Sequence, residues 1–81
     1  MNIQLIKGQF NAKDAIKLIT EMIHVKIRFH ESQIHDTSIE EDIKMREHRI
    51  KQLQKDLYNA RNYIEQQAGT IAIESEISLS K

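Results

Sequence analysis

The sequence predicts an α+β fold, predominantly α. The expected architecture is a long antiparallel helical hairpin with a strand at each end, in the order β-α-α-β. Three observations predict it. Ile39, Ile43, Arg46, Ile50, Leu53, Leu57, Ala60 and Ile64 recur at alternating steps of four and three, which is a heptad stripe. A broader amphipathic segment precedes that stripe. Both ends of the chain switch to an apolar period of two.

The first strand is expected at about 1–7. Met1, Ile3 and Leu5 alternate there with Asn2 and Gln4, and Gly8 marks the end. Asn11 can cap a helix over about 12–34, with Asp14 near the positive end of the helix dipole. Phe10, just before the cap, can staple onto Ala15. At 100° per residue, Ala12, Ala15, Ile16, Leu18, Ile19, Met22, Ile23, Val25, Ile27, Phe29 and Ile34 fall within an arc of roughly 200°.

The break is expected at 35–38. Ser38-Ile39-Glu40-Glu41 reads as a capping box for a second helix over about 39–68, with Gly69 as its left-handed C-terminal cap. Glu40–Lys44, Asp42–Arg46 and Glu47–Lys51 are spaced for ion pairs along one face. The last strand, about 70–79, places Ile71, Ile73, Ser75, Ile77 and Leu79 on one face.

At 81 residues the chain is expected to be a single domain, 1–81, with a thin core. No cysteine is present, so disulfides and thiolate metal sites are excluded. Twelve basic and twelve acidic side chains cancel, which argues against nucleic acid and against a polybasic membrane patch. No apolar run is long enough for a membrane span, and the N-terminus lacks a signal-peptide pattern, so a cytoplasmic location is expected.

Chemistry is scarce. His30 and His35 flank a segment that resembles the zinc-protease motif, but their spacing of five turns the second ring about 140° away. No catalytic residue, metal site or cofactor is expected.

The stripe of the second helix spans roughly 80° and cannot cover the face it meets. A homo-oligomer is therefore expected, most simply a two-fold dimer forming a helical bundle, and another protein is a further candidate partner. Candidate interface residues are Leu18, Met22, Val25, Phe29, Tyr58 and Tyr63. Lys26, His30, Arg46 and Glu47 are polar groups placed to set the register, with Lys26–Glu47 as an expected pair across the helices. The expected role is a small non-enzymatic assembly or protein-interaction module. The alternative is a DNA-binding regulator, since a strand followed by two helices is similar to the ribbon-helix-helix order.

Overall fold

A computed structural model describes residues 1–81. The order is β1 (Asn2–Phe10), α1 (Ala12–His35), α2 (Glu40–Glu65) and β2 (Ile71–Ser78). The two strands form an antiparallel ribbon within the chain.

The first helix starts as its sequence dictates. Asn11 is extended, and its side-chain oxygen accepts from the Asp14 amide at 2.8 Å. The second helix starts differently from the expected capping box. Ile39, not Ser38, is the N-cap, because its carbonyl already accepts from the Ile43 amide. The Ile39 amide donates instead to the Thr37 hydroxyl at 3.2 Å, so the turn is held one residue earlier. Glu40, Glu41 and Asp42 still occupy the first turn, at the positive end of the dipole.

α2 also ends earlier than expected, at Glu65 with Gln66 as C-cap. The Gln66 and Gln67 amides reach back to the Tyr63 and Ile64 carbonyls, which tightens and closes the last turn. Gly69 has a φ of 83° but lies beyond the cap, in the turn into β2.

β1 runs to Phe10 rather than ending near residue 7, and Gly8 lies inside it opposite Ile73. The strand reaches this length through a β-bulge. Ile3 pairs with Ile77 and Ile6 with Ser75, so three steps on β1 oppose two on β2, and Leu5 is the extra residue. Before the bulge Ile3 shares a face with Ile77. After it, Ile6, Gly8 and Phe10 share that face with Ser75, Ile73 and Ile71. The Gln4 side-chain amide spans the defect, donating to the Ile6 carbonyl at 3.1 Å and the Ser75 carbonyl at 3.2 Å.

The core sits where the ribbon meets the base of the hairpin. Ala15, Ile64 and Ile73 are buried there, with Ile6, Phe10, Ala12, Ile16, Leu18, Ile19 and Ile71 packed around them. Along α2, Ile43, Arg46, Ile50, Leu53, Leu57, Ala60 and Ile64 are buried or half-buried, so the heptad stripe is the face against α1; only Ile39 at its start is exposed. The result is a slab of 47 × 31 × 13 Å between Cα atoms. Such thinness explains why only 4 of 81 residues are buried.

Candidate functional site

α1 carries two apolar stripes. Ile16, Ile19, Ile23, Ile27, His30 and Ile34 lie on the side that meets the hairpin and core, and all are buried or half-buried. Leu18, Met22, Val25 and Phe29 recur at steps of four, three and four on a separate face. Leu18 packs at the edge of the core, and Met22 is half-buried. Val25 and Phe29 remain 59% and 50% exposed.

The bulge brings β1 to this second stripe. Leu5, itself 50% exposed, joins Met22, Val25, Lys26 and Phe29 around an open groove of about 480 Å³. Four of the five lining side chains are apolar.

A polar layer adjoins the groove. His30 is 9% exposed, and its Nδ1 accepts from the Arg46 guanidinium at 3.0 Å. That bond places the ring proton on Nε2, which is buried and has no partner. Phe29 meets His30 edge to face, with centroids 5.9 Å apart. Lys26 Nζ and the Arg46 guanidinium carbon lie 5.3 and 5.8 Å from the Phe29 ring centroid. Burial holds the His30 pKa below the ordinary histidine value, and the charges of Lys26, Arg46 and Arg49 lower it further.

The expected Lys26–Glu47 pair does not form. The single ion pair is Glu40–Lys44, at 3.2 Å. Lys26 is drawn over Phe29, Arg46 is taken by His30 rather than Asp42, and Glu47 is exposed. Solvated carboxylates gain too little from such pairs to compete with an aromatic face and a buried acceptor. Tyr58 and Tyr63 are exposed and lie apart from the groove. Tyr58 lines a surface depression with Gln54, Leu57 and Arg61, whereas Tyr63 lies beside Ala60, Ile71 and Ile73. Of the six candidate interface residues, Met22, Val25 and Phe29 meet around the groove and Leu18 continues their stripe. Leu5 is the groove residue that sequence reasoning missed as a contributor. The signal for it was the adjacent pair Leu5-Ile6, which breaks a strict two-residue alternation.

No three His, Asp or Glu side chains converge around a common point where a metal ion could sit. No helix is long and apolar enough to cross a membrane. Comparison of the chain with family models, with curated proteins and with solved structures gives no match.

Proposed function

We propose that the chain is a small non-enzymatic assembly module that works by self-association, with the α1 groove as its contact surface. One observation carries this reading. A compact folded chain of this mass exposes about 5,000 Å². This one exposes 6477 Å². The surplus of about 1,400 Å² exceeds the roughly 800 Å² that each partner contributes to a standard stable interface. Part of the surplus is apolar side chain, and Leu5, Val25 and Phe29 in the groove are among the large apolar residues left at least half exposed, where water contact is costly.

The alternative of a DNA-binding regulator of ribbon-helix-helix order is not favoured. In that arrangement an N-terminal strand pairs with its copy from a second chain, whereas β1 here is hydrogen-bonded to β2.

Substitution in the groove tests the reading. Val25 and Phe29 are half exposed in the single chain, so Val25→Asp and Phe29→Asp should leave helix content intact by circular dichroism. Each should also shift sedimentation equilibrium to the monomer mass. Oligomers that persist in both variants contradict a role for the groove.

A further inference from the structure

We infer that the occupant of the groove is a second copy of α1, packed antiparallel about a two-fold axis that passes between Ile23 and His24. This rests on the assembly reading and adds to it the partner element and its direction. The stripe is complementary to itself in this sense. With the axis placed there, Leu18 lies level with Phe29 of the second copy and Met22 with Val25, so a larger side chain meets a smaller one in each layer. The same operation sets charges in opposition. Glu21 and Arg28 border the stripe on the side away from Lys26, and both are exposed. Antiparallel packing brings Glu21 of each copy beside Arg28 of the other.

Parallel packing uses these residues less well. Phe29 would face Phe29, Met22 would face Met22, and Arg28 would meet the neutral Gln33. Of the bordering charges only Glu21 would find a partner, in Lys26. The ribbon gives a further reason. Leu5 lies on the Lys26 side of the stripe. Antiparallel packing puts that side of both copies together, so the two Leu5 side chains close the seam from one side and the ion pairs border the other. Parallel packing places the ribbons on opposite sides and leaves each Leu5 beside the partner's charged border.

Two measurements test this. The chain has no cysteine, so Lys13→Cys gives a single attachment point for a spin label on an exposed helical position. Antiparallel α1 helices separate the two labels by more than about 30 Å, whereas parallel ones, with Lys13 on the face turned away from the stripe, leave them about 20–25 Å apart. Glu21→Arg and Arg28→Glu should each raise the dissociation constant of the dimer by about tenfold. The double variant, which reverses both signs, should return it to within about threefold of the starting value. A short label distance, or a dimer indifferent to all three charge variants, overturns the antiparallel α1 contact while leaving self-association standing. A chain that stays monomeric before any substitution overturns both.

Discussion

At the scale of single residues, the least comfortable group is His30. It is one of four buried residues, it accepts one hydrogen bond from Arg46, and its Nε2–H has no acceptor. Lys26, Arg46 and Arg49 all oppose a second positive charge there. The ring is therefore neutral in the fold, while the unfolded chain takes up a proton near the ordinary value of about 6.5. A depressed folded-state pKa means that protons favour the unfolded chain. The stability associated with neutral His30 is present above about pH 6.5 and is lost as pH falls through the lower, folded value. Urea denaturation followed from pH 7.5 to pH 5 should show that loss. His30→Leu should flatten this part of the profile and at neutral pH should cost about 1 kcal/mol or less, since removal of an unsatisfied donor offsets the loss of the acceptor for Arg46, whose guanidinium can turn to water. A profile equally steep in the variant assigns the acid sensitivity to other groups. None of this was visible in the spacing of residues. The sequence placed Lys26 level with Glu47 and Arg46, but whether a long cation reaches a carboxylate, a ring face or a ring nitrogen depends on local geometry.

At the scale of elements, the periodicities of 3.6 and 2 were enough to give two helices and two strands, because each element buries one face and that face leaves a spacing in the chain. The heptad stripe is the clearest case, since its members after Ile39 face α1. Ends were less legible, because several residues near each end can satisfy the same backbone groups. Ser38 has the chemistry of a cap, yet Thr37 holds the turn. Thr37→Ala should therefore destabilise the fold by about 0.5–1.5 kcal/mol. Ser38→Ala should change stability by less than about 0.5 kcal/mol. Comparable losses in urea midpoints for the two variants contradict this assignment. The bulge was hidden for a related reason. One extra residue in β1 reverses the inward face after Leu5, and a reading of either half alone gives a regular strand. Gln4→Ala removes the side chain that donates to two carbonyls at this defect and should cost about 1 kcal/mol by the same measurement.

At the scale of the whole molecule, the balance between a broad first helix and a narrow second one has a geometric outcome. The α2 stripe covers one face of α1, and the ribbon covers the base of the hairpin. Both leave Val25 and Phe29 at least half exposed. The mismatch was legible in the sequence as an arc of roughly 200° facing one of roughly 80°. Its location was only partly so, since the groove also needs Leu5, which the bulge supplies from the middle of β1. Tyr58 and Tyr63, read from composition as interface residues, lie apart from it because α2 turns them to different surroundings. The central claim is that this uncovered surface is closed by a second copy of the chain. Light scattering across micromolar concentrations measures it most directly. The account predicts a mass of about 19 kDa, twice the 9.5 kDa of one chain. A mass of 9.5 kDa throughout that range would contradict it.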